Sequence, residues 1–319
     1  MIKIDDLSPI LVSVYNRKEH FEKTIRLLSQ NRMAKDSILY IVSDAASTEN
    51  DKEIINQIRQ FIFSINGFKL VIPILREINF GAHESIYQAI NFVLGVHGKI
   101  IFLEDDINTS SDFLEFMNSA LSFYENDNRI ITVTGYAPPF KIPFWYRKDV
   151  WVNRRQCAWG FGTWKSKWDK IDFNHYDRYN ELISNKANLN KYSEDGYDLV
   201  DILRCDSQKI YTAMDIRICY YQYLHDKWTL YPVKSKTYNA GFDGSGVRCG
   251  ISNEYEVSLE ESGYNVKFPR SIHSNIFLKL LAKSFYDKKS VLEIIFPLTY
   301  KLLKIFKSLK KRFINKLNL

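Results

Sequence analysis

IIFLEDDINTSSDFLEFMNSALSFYENDNRIITVTGY, residues 100–136, is the stretch on which the reading of this chain turns. KIIFL (99–103) is a run of strand length, apolar after Lys99, and it breaks at once into three acids, Glu104, Asp105 and Asp106. The spacing predicts a helix over about 111–124, and RIITVTG (129–135) reads as another strand. Strands apolar throughout are buried on both faces, as in parallel sheets covered by helices. Three acids directly after such a strand repel one another unless something cationic sits among them. Oxygen ligands of this kind suit Mg²⁺ or Mn²⁺, which can bridge to a diphosphate. The competing explanation is a helix N-terminus that attracts acids through its dipole.

Working outward, the same alternation continues towards the N-terminus. PILVSVY (9–15) reads as a strand followed by a helix over about 19–31, with Phe21, Ile25 and Leu28 on one face. LYIVS (39–43) precedes a helix over about 50–65, and KLVIPIL (69–75) precedes one over about 84–95. Five agreeing segments give an α/β class: a mostly parallel sheet flanked by helices. Beyond residue 135 the period fails. PPFKIPFWYRKDVWVNRRQCAWGFGTW (138–164) is dense in Pro, Trp, Phe and Gly and reads as loop with a few short strands. Residues 166–232 read as mostly helical and 233–275 as loop-rich, with no internal repeat or low-complexity linker. The second half is therefore expected to complete the sheet and roof its cleft.

In an open α/β sheet, ligands bind at the carboxyl ends of the strands. Those ends carry Asn16-Arg17, Ser43-Asp44, Arg76-Glu77 with Asn79, and the acidic triplet. No G-x-G-x-x-G follows the first strand and no G-x-x-x-x-G-K-[ST] occurs, which removes the main support for a dinucleotide oxidoreductase or a P-loop NTPase. Asp44 could accept a hydrogen bond from a base, or cap the next turn. Arg17 could pair with phosphate, or cover the sheet end with its stem. His83 could donate to phosphate, or simply start a helix. Together they set a base-binding acid, cations and metal-binding acids on one rim, which is what a nucleotide-sugar site requires.

On these residues the chain resembles GT-A (Rossmann-like) glycosyltransferases. It is similar to the N-acetylglucosaminyltransferase I-like group and to bacterial family-2-like transferases of surface polysaccharide synthesis. PILVSVYNRKEHFEKTI resembles the group's first strand and helix, IVSDAAS its second strand, and NFGAHESIYQAINFVL its third segment. The resemblance implies that Arg17 lies near the uridine, Asp44 reads the uracil and His83 approaches the donor phosphates. It implies that Asp106 is the metal ligand for Mn²⁺ or Mg²⁺ and that Glu104 and Asp105 contact sugar or ribose. CAWGFGTWKSKWDK (157–170) resembles the Gly/Trp loop shaping the sugar and acceptor pocket, which brings in Trp159 and Gly160; a core-packing Trp cluster is the alternative. The group's catalytic base falls best on Asp215 in TAMDIRICYYQ, with Asp195 in SEDGYD as rival and Asp198 a lesser one. Asp215 sits in an apolar helical stretch where burial would favour a useful base; the alternative is a buried pair with Arg217, or a cap. PVKSKTYNAGFDGSGVRCG (232–250) resembles the loop that closes over the donor, with Arg248 where the group has a histidine.

The implied boundaries are a transferase domain over 1–275, with a nucleotide-sugar half (1–135) and an acceptor half (136–275), then a basic tail over 276–319. The implied activity is metal-dependent, inverting transfer of a hexose or N-acetylhexosamine from a UDP-sugar to a glycan acceptor, lipid-linked in the reading adopted. A sugar nucleotidyltransferase would want a Gly/Arg/Lys-rich loop after the first strand, which VYNRKEHFEK lacks. A non-catalytic glycan-binding or scaffold protein could dispense with the triplet, which is intact.

Composition agrees with a folded enzyme. The 319 residues are 45% hydrophobic and 25% charged, which excludes a disordered, collagen-like or disulfide-scaffold chain. Cys157, Cys205, Cys219 and Cys249 are too widely spaced for a CxxC motif and read as free thiols. MIKIDDLSPI lacks the basic and apolar regions of a secretory signal. Of the net charge of +7, residues 277–319 carry +9 from eleven Lys/Arg against Asp287 and Glu293, leaving −2 on residues 1–276. That argues against nucleic acid, whose partners spread positive charge over the fold. In the tail Leu298, Leu302, Phe306, Leu309, Phe313 and Leu317 follow a helical spacing among lysines. No run approaches the roughly 20 apolar residues of a membrane span. The expectation is a basic amphipathic helix over 298–319 lying on the anionic inner face of the cell membrane, so a cytoplasmic, peripheral protein. Packing on its own domain, or on another subunit of a homo-oligomer, is the alternative.

Overall fold

The apolar runs of the first half become strands because period-two alternation sends their side chains to two covered faces. In the computed structural model, which describes residues 7–246, 250–259 and 266–297, Ile10, Val12 and Val14 face one helical layer. Leu11 between them faces the other, with Tyr40, Ile90, Val93 and Phe102. The strands are β1 (Ile10–Val14), β2 (Ile38–Ser43), β3 (Leu70–Leu75), β4 (Lys99–Glu104), β5 (Ile107–Thr109), β6 (Ile130–Thr134), β7 (Val150–Asn153), β8 (Phe161–Trp164), β9 (Trp228–Pro232) and β10 (Thr237–Asn239). The helices of the first half are α1 (Lys18–Ser29), α2 (Lys52–Ser64), α3 (Ala82–His97) and α4 (Phe113–Phe123). Those of the second half are α5 (Lys165–Trp168), α6 (Arg178–Ile183), α7 (Lys186–Tyr192), α8 (Asp198–Ser207), α9 (Met214–His225), α10 (Ile276–Asp287) and α11 (Val291–Ile295).

The main sheet has eight strands in the order β3-β2-β1-β4-β8-β6-β9-β7. β1 is parallel to β2 and β4, and β2 to β3. β8 runs antiparallel between β4 and β6, so the fifth sequence-predicted strand, β6, is parallel to β4 without touching it. Gly162 permits this insertion. A Cβ there would stand 3.0 Å from the Ile100 carbonyl oxygen of β4 and 3.0 Å from Leu121 of α4. β9 is parallel to β6, and β7 closes the edge antiparallel to β9. The carboxyl ends of β1–β4, β6 and β9 therefore share one rim. The second half does extend the sheet of the first.

A two-stranded sheet, β5 with β10, sits on that rim directly after the triplet. Its anchor is a buried ion pair. Lys236 Nζ lies 2.5 Å from Asp112 Oδ2, with Lys236 fully buried and Asp112 at the N-terminus of α4. Breaking one half of such a pair strands the other charge, at about 3–5 kcal/mol. Lys236→Met is expected to lower the urea-unfolding free energy by that amount. An unchanged midpoint would show that the pair does not hold β10 in place.

Among the described residues no helix is long and apolar enough to cross a membrane. The helix expected over 298–319 lies outside the described residues, as do Arg248 and Cys249.

Candidate functional site

The rim gathers side chains from the ends of β1, β2 and β4. β1 stops where Arg17 opens α1, and β4 stops at Glu104. The Arg17 guanidinium lies in the middle of the triplet. It donates from Nη2 to Asp105 Oδ1 and pairs through Nη1 with Asp106 Oδ2 at 2.8 Å. Asp105 and Asp106 are buried, 5% and 6% exposed. Burial, then the neighbouring carboxylates of Asp106 and Asp105, push Glu104 up to about 8, against the pull of Arg17. Asp105 is pushed up to about 6, first by burial, with Arg17 opposing. One guanidinium thus faces three acids, and the cluster is short of positive charge.

One oxygen of the cluster is left over. Asp106 Oδ1 is buried and accepts no hydrogen bond, while Oδ2 is taken by Arg17. Among the described residues no group of three or more His, Cys, Asp or Glu side chains forms a ready cage for a metal. A divalent ion held by a single carboxylate together with substrate phosphates and water needs no such cage. The unpartnered oxygen and the charge deficit fit a cation of that kind.

The roof over Asp106 is the turn after β10. Ala240 N donates to the Asp106 carbonyl at 2.9 Å, and Gly241 N to Asn239 Oδ1 at 2.8 Å. Gly241 packs so tightly that a Cβ would overlap Asp106 Oδ2 and stand 3.1 Å from Arg17 Nη1. Asp243, farther along, pairs with His20 of α1 at 3.0 Å. In the sequence Asn239 and Gly241 are marked only by the N-x-G pattern in YNAGFDG, and nothing marks His20.

Asp44 closes β2. Its Oδ1 accepts from Ala45 N at 3.0 Å and Phe80 N at 3.1 Å, which ties the β2 and β3 loops together. Asn79 Nδ2 adds a 2.6 Å bond to the Ala45 carbonyl. These bonds engage one carboxylate oxygen only. His83 is the second residue of α3, stacked on Tyr87 with centroids 6.1 Å apart.

The Trp loop divides. Trp164 and Trp168 are buried in the core, as the packing alternative had it. Trp159 is half-buried in an aromatic cage, edge-on to Tyr136 (4.6 Å), Tyr255 (5.4 Å) and Phe242 of the roof (5.5 Å). Gly160 has φ +76, and a Cβ there would meet Thr237 at 2.7 Å, so β10 can lie against this loop only over glycine.

The acids considered as base part company too. Asp215 lies in the first turn of α9, half-buried, with Ile216 N donating to its Oδ1 at 3.0 Å. Its charge reaches Glu104, Cys157 and Cys219. The Arg217 guanidinium is bound by buried Asp206 at 3.0 Å, and Asp206 also accepts from Ala213 N, which fixes the start of α9. Asp195 is buried in another network, where Arg154 Nε donates to its Oδ2 at 3.0 Å and Lys279 Nζ approaches to 3.8 Å. Asp198 holds Arg155 at 2.6 Å.

Among solved structures the chain is similar to several at low identity. TarS of S. aureus is 14% identical over 61% of this chain and 33% of its own, with a TM-score of 0.33. The mannosyltransferase PcManGT from Pyrobaculum calidifontis, solved with GDP-Man and Mn²⁺, is 10% identical over 69% of this chain and 72% of its own, with a TM-score of 0.37. GalNAc-T7, solved with UDP, GalNAc and Mn²⁺, is 10% identical over 71% of this chain and 42% of its own, with a TM-score of 0.45. The chain spans about a third of TarS and under half of GalNAc-T7. No curated protein matches it in sequence. The model for glycosyl transferase family 2 matches residues 10–185, more than half of the chain from β1 through the triplet to the residues just after α6, and the chain belongs to that family of glycosyltransferases.

Proposed function

We propose that this glycosyltransferase is metal-dependent and inverting, and moves a hexose or N-acetylhexosamine from a UDP-sugar to a lipid-linked glycan in surface polysaccharide synthesis. The observation that carries the reading is the buried, unpartnered Asp106 Oδ1 beside Arg17.

Asp44 offers its second carboxylate oxygen to the uracil N–H. Arg17 lies near the uridine, His83 faces the diphosphate, and Glu104 and Asp105 face the ribose and sugar. Asp106 is the residue that would hold Mn²⁺ or Mg²⁺, which when bound offsets the charge on the departing UDP. Asp215 accepts the acceptor hydroxyl's proton as that oxygen attacks the anomeric carbon from the face opposite the diphosphate. Asp195, engaged by Arg154 and Lys279, serves to fix the acceptor half. Trp159 and Gly160 line the sugar side, where an indole gives a ring an apolar face. The turn over 240–245 keeps water from the donor, whose hydrolysis is the competing reaction. Residues 298–319, with seven Lys/Arg and no acid, bring the enzyme to the anionic inner face of the cell membrane where such acceptors are held.

The test is to titrate UDP-glucose, UDP-galactose, their N-acetylhexosamine counterparts and GDP-mannose into the protein with and without Mn²⁺. At least one UDP-sugar should bind, and only with metal. Binding of none, or equal binding with the metal chelated, sinks the reading. Gly241→Ala should raise the donor KM about ten-fold or more, because overpacking of ~1–3 kcal/mol falls on the Asp106 roof. An unchanged KM would detach this turn from the donor.

A further inference from the structure

The segment between β6 and β7, residues 135–149, leaves the carboxyl end of β6 and re-enters the sheet at Val150, opposite Pro232 at the carboxyl end of β9. It therefore stays on the rim that carries the triplet. Within it, Tyr146 N donates to the Pro143 carbonyl at 2.9 Å, which makes Phe144 and Trp145 the two central residues of a β-turn. Such positions ordinarily hold Gly, Asn, Asp or Ser. Here Phe144 is 86% exposed and Trp145 44%.

The turn is not a loose end. Tyr146 Oη donates to the Val150 carbonyl at 2.8 Å, and Phe140 packs edge-on against buried Trp151 at 5.7 Å. Trp145 stands edge-on to Phe277 at the start of α10, 5.3 Å away, and Phe277 is itself 57% exposed. Exposed Lys141, Arg147 and Lys148 flank the aromatic tip, and residues 138–148 contain no acid. A fixed, protruding pair of large aromatic residues ringed by cations matches the boundary of an anionic bilayer. Indoles settle there at headgroup level, and each Lys or Arg gains from the negative surface.

We infer that the Phe144–Trp145 turn, with Phe277 behind it, is a membrane-docking wedge that inserts into the headgroup region of an anionic bilayer and sets the acceptor rim against it. This deepens the reading of a lipid-linked acceptor and is separate from the basic segment over 298–319.

The test uses the full chain with vesicles of phosphatidylcholine alone or mixed with phosphatidylglycerol, and no nucleotide sugar. Wild type should co-sediment with the mixed vesicles. Phe144→Ser with Trp145→Ser should lower the partition coefficient about ten-fold or more. Arg147→Ser and Lys148→Ser should each lower it about five-fold, on anionic vesicles only. The vesicle-induced blue shift of tryptophan emission should shrink in Trp145→Phe, a variant that keeps an aromatic tip and the fold. Unchanged partition of the double variant, with Trp145→Phe keeping the full blue shift, overturns the proposal. So does a double variant that binds vesicles normally but loses self-association, since the wedge would then be a contact between copies. Mn²⁺-dependent donor binding, measured on the same variants, reports separately on the transferase reading.

Discussion

Asp106→Asn is expected to leave a folded protein whose turnover falls by roughly 10²–10³-fold, the cost of losing one preorganised group that meets developing charge. The geometry makes the effect specific. Asp106 is buried, its Oδ1 has no partner, and its Oδ2 is already committed to Arg17. The asparagine can still accept from Arg17 through its amide oxygen, but it no longer offers an anionic oxygen to a divalent ion. Titration with Mn²⁺ in the presence of a UDP-sugar separates the two roles. The variant should keep its unfolding free energy within about 1 kcal/mol, as expected for a near-isosteric change, and lose the metal dependence of donor binding. Metal-dependent binding that survives in Asp106→Asn moves the metal to another group, and Glu104 and Asp105 are the neighbours to test next.

Asp215→Asn should cost transfer about 10²–10⁴-fold, the range for removing a general base, with donor binding and its Mn²⁺ requirement intact. The matching control is Asp195→Asn. Asp195 is bound by Arg154 and Lys279 in a buried network, so its replacement should act on stability and leave kcat within a few fold. If Asp215→Asn turns over normally while Asp195→Asn does not, the roles are reversed. Asp206→Ala offers an indirect check. It releases Arg217 and the amide of Ala213, and so unfixes the turn that presents Asp215.

Much of this molecule is legible in the sequence because its first half is locally consistent. Runs such as ILVSV and IIFL carry apolar residues on both faces, and only a strand covered on both sides buries them all. The strand ends follow, and with them Arg17, Asp44 and the triplet. The second half is harder for identifiable reasons. β8 has four residues, FGTW, one of them a glycine, and it works only because Gly162 clears Ile100 and Leu121, a contact between distant segments. The tryptophans of 159–168 look alike in sequence. They divide into core and cage because the helix after β8 turns Trp168 under the sheet, while Thr237 of β10 holds the Trp159 carbonyl at 2.8 Å. The surroundings of Asp195 are not legible in the sequence because Arg154, which binds it, stands 41 residues away; nor is the Asp206–Arg217 pair that fixes the start of α9 before Asp215.

The small β5–β10 sheet makes the roof a strap fastened at both ends. At one end Ala240 is stitched to the backbone of Asp106, so floor and roof share a hydrogen-bonded seam and cannot separate there without breaking the ladder. At the other end the strap is buckled by His20–Asp243, where Asp243 is exposed and the pair contributes little to stability. The two fastenings differ greatly in strength. Freeing the far end of the strap therefore costs the weak His20–Asp243 contact and the packing of Phe242 on Trp159 and Tyr255, while the Asp106 seam and the floor beneath it keep their shape.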